Sequence, residues 1–113
     1  MTREALIPWF RTLVRGVRSD APDLSARQMA ILLAVYLDPE PHTIRGLAQQ
    51  LHISKPAVTR AIDSLARLEF VRRMPDESDG RSVLIQRTVK GSVYVDKLAI
   101  EFLSVVRDDD PSK

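Results

Sequence analysis

The feature that most constrains this chain is a pair of short amphipathic segments joined by the three residues His52-Ile53-Ser54. In the first segment Ile44, Leu47, Ala48 and Leu51 share one helical face, and Thr43 stands before them where its hydroxyl can cap the helix. In the second, Val58, Ala61, Ile62, Leu65 and Leu68 form one apolar stripe. Ser54 occupies the N-cap of that segment, and Pro56 lies in its first turn, where a fixed φ is tolerated and a missing N–H costs little. At about 100° per residue the opposite face carries Pro56, Arg60, Asp63 and Arg67, with Thr59 at its edge. Two helices joined by so short a turn, the second capped and polar outward, have the helix-turn-helix geometry. His52 stands where many such turns use glycine, and histidine enters positive φ more readily than most residues.

The flanking sequence extends this into a fold. Leu6, Phe10, Leu13, Val14 and Val17 recur at helical spacing over Arg3–Arg18, with Pro8 near the start. Asp20-Ala21-Pro22-Asp23 is a break, and Ser25-Ala26-Arg27-Gln28 is a capping box. The helix it opens carries Met29, Leu32, Leu33, Tyr36 and Leu37 and stops before Pro39 and Pro41. Beyond the central pair, Phe70–Met74 and Arg81–Arg87 flank the polar stretch Pro75–Gly80; Val83 and Ile85 alternate with Ser82 and Gln86, as in a β-hairpin. Thr88 can cap a last helix in which Val95, Leu98, Phe102 and Val105 are spaced for burial, and the acidic end Asp108-Asp109-Asp110 is expected to fray. The fold expected is mainly α with a small β-hairpin: a winged helix-turn-helix of five helices plus a wing. Its parts are an N-terminal helix over 1–22, the winged domain over 23–91, and a C-terminal helix with acidic tail over 92–113.

Charge is placed unevenly. The net value is only +2, but residues 42–90 hold nine Lys/Arg against five acids, the segment before them is balanced, and the tail after them is acidic. With no cysteine, disulfides, thiolate metal sites and thiol redox chemistry are excluded. His42 and His52, the two histidines, make a poor metal pair and are expected in a loop and a turn. No nucleophile–base pairing and no glycine-rich phosphate loop is present, so the reading is a non-enzymatic protein without a cofactor. Arginines and Glu4 interrupt the N-terminal stretch, and no apolar run is long enough to cross a membrane, so a cytoplasmic protein is expected, at the nucleoid when bound.

A helix entering a major groove about 12 Å wide needs small or hydrogen-bonding groups at its N-terminal end. Ser54, Lys55, Pro56, Ala57, Thr59 and Arg60 meet that demand on a recognition helix spanning 54–68. The basic wing, 75–82, would reach phosphates or the adjacent minor groove through Arg81. Arg45 opens the supporting helix and is a candidate phosphate contact. Arg72 and Arg73 alternate faces of a strand, so at most one points at DNA; Arg67 lies far down the helix, on the solvent side.

From Leu24 to Gly91 the chain resembles the MarR family of bacterial winged helix-turn-helix regulators. The resemblance lies in Ile44-Arg45-Gly46-Leu47-Ala48, Ile53-Ser54-Lys55-Pro56-Ala57-Val58-Thr59-Arg60, Phe70-Val71-Arg72-Arg73, Asp79-Gly80-Arg81-Ser82 and Thr88-Val89-Lys90-Gly91, and covers about two-thirds of the chain. It implies a homodimer that binds double-stranded DNA at a pseudo-palindromic operator, usually as a repressor. It maps Ser54, Lys55, Pro56, Thr59 and Arg60 to the recognition helix, Arg81 with Gly80 to the wing, and Asp79 to the acid that orients Arg81. With about twenty residues beyond Gly91, the chain is expected to be a short variant with a reduced C-terminal dimerisation region. Leu6, Trp9, Phe10 and Leu13 at one end, and Leu98, Phe102, Val105 and Val106 at the other, are the candidate dimer contacts. The alternatives are a winged-helix protein-interaction module and a ligand-responsive sensor of the same family. The charge distribution and the lack of large apolar residues on the outward face of the recognition helix favour DNA.

Overall fold

The computed structural model describes residues 2–108, so Asp109 and Asp110 of the acidic end lie outside the described residues. A 3-10 helix, Thr2–Leu6, leads into α1 (Ile7–Arg18), followed by α2 (Ala26–Leu37), β1 (His42–Thr43) and α3 (Ile44–Leu51). Then come α4 (Lys55–Arg67), β2 (Val71–Asp76), β3 (Asp79–Arg87) and α5 (Val89–Asp108). The described chain forms two compact units: Leu24–Val95, and the terminal stretches up to Asp23 and from Asp96 onward.

In the central unit each helix starts where its cap is written. The Ser25 hydroxyl accepts from the Gln28 amide while the Gln28 side chain accepts from the Ser25 amide, completing the capping box of α2. Thr43 Oγ1 accepts from Gly46 N at 2.9 Å on α3, and Ser54 Oγ from Ala57 N at 3.2 Å on α4. The helices close on one core, with Ile31, Leu32 and Val35 of α2 against Leu47 of α3 and Val58, Ile62 and Leu65 of α4.

The sheet has three antiparallel strands in the order β1-β3-β2, one more than the hairpin the sequence suggests. β1 pairs His42 with Ile85 and Thr43 with Leu84; two residues are too few to show a strand period. His42 is therefore a buried strand residue rather than a loop residue, its Nε2 3.1 Å from the carbonyl of Asp38. Val71, Arg73, Ile85 and Arg87 share the sheet face turned to the helices, since directly paired residues project to the same side. Val71 and Ile85 are buried there. Arg87 donates through Nε to Val35 O at 2.8 Å and through Nη2 to Asp38 O at 3.0 Å, satisfying carbonyls that the end of α2 leaves open. A second tie is Tyr36, whose hydroxyl donates to Phe70 O at 2.7 Å and accepts from Thr88 N at 3.0 Å. Thr88 in turn caps α5 by accepting from Gly91 N at 2.9 Å.

In the terminal unit the α-helix begins later than the Arg3 start expected from apolar spacing. Pro8 sits in the first turn of α1, and the chain before it runs as a 3-10 helix. Proline donates no N–H and crowds the carbonyl four residues back, so the α pattern cannot extend through it toward Glu4.

Candidate nucleic-acid interface

The turn between α3 and α4 is built on an unusual backbone residue. His52 has φ 55° and ψ 42°, the left-handed region that favours glycine. Ile53 N donates to Ala48 O at 3.2 Å and His52 N to Gln49 O at 3.4 Å, the paired bonds of a Schellman closure. The same closure ends α4: Glu69 has φ 63°, Phe70 N donates to Leu65 O and Glu69 N to Ala66 O, both at 2.9 Å. Sequence reasoning identified the first of these turns, because a second capped helix starts at Ser54 right after it, and missed the second, because Glu69 is not the glycine that usually marks a left-handed residue.

Ser54 is extended, with φ −72° and ψ 154°, and its hydroxyl starts α4 immediately after the turn. From there the helix divides as its periodicity predicts. Val58, Ala61, Ile62 and Leu65 are buried, whereas Lys55, Pro56, Thr59, Arg60 and Arg67 are exposed. Ala57 corrects the expectation: it is only 6% exposed, packed inward with Val58 and Ala61, so of the Ser54–Ala57 turn only the first three residues present side chains outward.

The basic residues of the central segment separate into two groups. Arg67 donates to Ser64 Oγ, Arg72 to Gln86 Oε1, Arg87 to backbone carbonyls, and Lys90 lies 3.6 Å from Glu69. Arg73 pairs with Asp63 of α4. Among the described residues, the side chains of Arg45, Lys55, Arg60 and Arg81 have no hydrogen-bond or ion-pair partner, and all four residues are exposed. Those four are the cations expected to meet DNA; Arg72 and Arg73, of which at most one is expected to point at DNA, are both engaged within the chain.

The wing is longer in its strands and shorter in its turn than its sequence suggests. The ladder continues to Asp76 opposite Asp79, leaving only Glu77 and Ser78 between the strands. Between Pro75–Val83 and Asp76–Asp79 the register slips, so Gly80, Arg81 and Ser82 have no partners across the ladder. Such a bulge re-aims the side chains it carries, here the exposed Arg81. Asp79 fixes the bulge from within: its Oδ1 accepts from Arg81 N at 3.1 Å and its Oδ2 from Ser82 Oγ at 3.0 Å. Asp79 thus bonds the backbone of Arg81, and its carboxylate does not pair with the guanidinium. Asp76 is held likewise, by the hydroxyl of Ser78 at 2.7 Å and its amide at 3.0 Å, and these bonds keep its carboxyl below the ordinary aspartate value.

The terminal unit exposes much of what was assigned to a partner. Leu6, Trp9, Phe10 and Leu13 on the N-terminal side, and Phe102 and Val106 on α5, are exposed apolar side chains, and Leu98 is half-buried. Val105 is a correction: at 1% exposure it has no surface to offer. It falls on the α5 stripe of Gly91, Val95 and Leu98, a side on which Phe102 nevertheless stays exposed.

Three comparisons bear on this geometry. The family model described as "MarR family" matches residues 24–83. The HTH-type transcriptional regulator PecS of Dickeya dadantii (strain 3937) is 33% identical over 87 residues, which is 75% of this chain and 52% of that protein. The chain therefore spans about half the length of this curated relative. Among solved structures, a transcriptional regulator of Thermotoga maritima superposes with a TM-score of 0.68 at 24% identity, over 74% of this chain and 58% of the other. The transcriptional regulator BldR of Sulfolobus solfataricus superposes with a TM-score of 0.65 at 23% identity, over 97% and 85%. These two likenesses establish a shared winged-helix fold.

Proposed function

The chain belongs to the MarR family, and from that premise we propose that it is a DNA-binding transcriptional regulator whose α4 enters the major groove while its wing lies beside it. The observation that carries this reading is the sorting of the central cations. Arg45, Lys55, Arg60 and Arg81 are left uncommitted on exposed helix starts, the α4 outer face and the wing bulge, whereas the neighbouring basic residues are tied within the subunit. Cations held ready at those places suit phosphate neutralisation and guanine recognition.

In this reading Ser54, Lys55, Pro56, Thr59 and Arg60 face base edges, Arg45 meets a phosphate, and Arg81, set by Gly80 and Asp79, anchors the wing. The protein acts as a repressor and as a homodimer on a pseudo-palindromic site, with Leu6, Trp9, Phe10, Leu13, Leu98, Phe102 and Val106 at the subunit contact. Residues 23–91 form the DNA-binding domain and the segments 1–22 and 92–113 serve dimerisation. It has no enzymatic step and works in the cytoplasm, on the nucleoid. Fluorescence anisotropy with a labelled random-sequence duplex at rising salt tests the central claim. Binding that falls steeply and linearly in log–log form supports it; indifference to duplex DNA at low salt refutes it and favours a protein partner.

A further inference from the structure

Asp63 is an anomaly on the face assigned to DNA. It lies between Arg60 and Arg67 on the outer side of α4, about 4.5 Å further along the axis than Arg60. A bare carboxylate there would face a polyanion. It is not bare, because Arg73 of β2 reaches across and pairs with it, the two side chains being 37% and 45% exposed. Arg73 comes from the sheet face that also carries Arg87, and both arginines run from that face onto helices: Arg87 onto the carbonyl end of α2, Arg73 onto α4. Arg73 is the arginine of β2 that links the root of the wing to the recognition helix; Arg72 spends its guanidinium on Gln86 within the sheet.

We propose that Arg73 is a positioning residue which, through Asp63, sets the attitude of the recognition helix to the wing and thereby governs sequence discrimination, rather than contacting DNA itself. The inference rests on the DNA-binding reading given above. Base readout needs donors held within a fraction of an ångström of their acceptors, whereas phosphate attraction tolerates a loosened frame. Breaking the pair is therefore expected to degrade discrimination and to leave general affinity largely to net charge.

The test uses the full chain and two probes: the duplex the wild type selects from a random pool, and a random-sequence duplex, both at one salt concentration. The ratio of the two affinities removes the uniform electrostatic contribution. Asp63→Asn and Arg73→Gln are each expected to lower that ratio by about tenfold, the order of one mismatched base pair, although they change net charge in opposite directions. The double variant is expected to be no worse than either single one, since both break the same tie. Arg73→Lys, which keeps the charge without the planar fork, should recover part of the ratio.

Equal weakening on both duplexes by Arg73→Gln, with a shallower salt slope, would make Arg73 a phosphate contact and overturn the inference. A lowered ratio in Asp63→Asn alone would make Asp63 a direct base reader and overturn it too. So would a loss of melting temperature with the ratio intact. Failure of the wild type to bind any duplex would sink the DNA-binding reading, and this inference with it, before any variant is made.

Discussion

Gly91 sits against the hydroxyl of Tyr36 so closely that a Cβ placed on it would come within 1.9 Å of that oxygen and 2.2 Å of the Phe70 carbonyl. The contact lies where the end of α2, the start of β2 and the start of α5 converge. Only a residue without a side chain lets Tyr36 donate to Phe70 O while accepting from Thr88 N. Gly91→Ala is expected to destabilise the protein by about 2–3 kcal/mol, overpacking outweighing the gain in helix propensity. Tyr36→Phe, which strands the Thr88 amide, should cost about 1–2 kcal/mol. Urea unfolding of both and of the pair measures this; because the substitutions relieve one crowded site, the double variant should lose less than the sum.

Removing the cap of α4 gives a second stability prediction. Ser54→Ala takes away the oxygen that accepts from Ala57 N, and is expected to cost about 1 kcal/mol. Ser54→Asp should restore it, since a carboxylate both accepts the bond and suits the helix N-terminus. Thermal unfolding separates this from any effect on DNA, where Ser54→Asp should bind worse through repulsion of phosphates.

Arg60 and Arg81 should fail in different ways. An arginine set bidentate on guanine supplies roughly 1–3 kcal/mol of discrimination, so Arg60→Ala is expected to relax sequence preference more than general affinity. Arg81→Ala should weaken all duplexes alike and reduce the salt slope by about one. Competition binding across a salt series distinguishes them, and identical profiles for the two variants would contradict the assignment.

The wing turn carries its own pH signature. The hydroxyl and amide of Ser78 bond to the carboxylate of Asp76, so its folded pKa lies below the ordinary 3.8. A depressed folded pKa means the turn's stabilisation is present above the unfolded value and is lost as pH falls through the folded one. The group is exposed, so the effect is local. An NMR titration should show the Ser78 amide moving with a midpoint below 3.8, and Ser78→Ala should return the Asp76 midpoint toward it.

The exposed ring of Phe10 offers the test of assembly. Phe10→Glu leaves the core of Leu24–Val95 untouched and places a charge on the apolar side of α1. Sedimentation velocity is expected to show the wild type as a dimer and the variant shifted to monomer, with weaker binding to two-half-site DNA.

Much of this molecule was legible along the chain because the signals are local. Ser25, Thr43, Ser54 and Thr88 each cap the helix that follows, and the α4 stripe separates Val58, Ile62 and Leu65 from Arg60, since these depend only on neighbours within a turn or two. What tertiary structure alone decided involves partners far apart in sequence. β1 exists because His42 and Thr43 meet β3, Arg73 finds Asp63, Arg87 finds the end of α2, and Gly91 is required by Tyr36. A cation's freedom to meet DNA is of this second kind: sequence lists nine in the central segment, and only folding shows which of them are already spent, because an arginine's role is set by what lies within reach of its guanidinium and not by its neighbours along the chain.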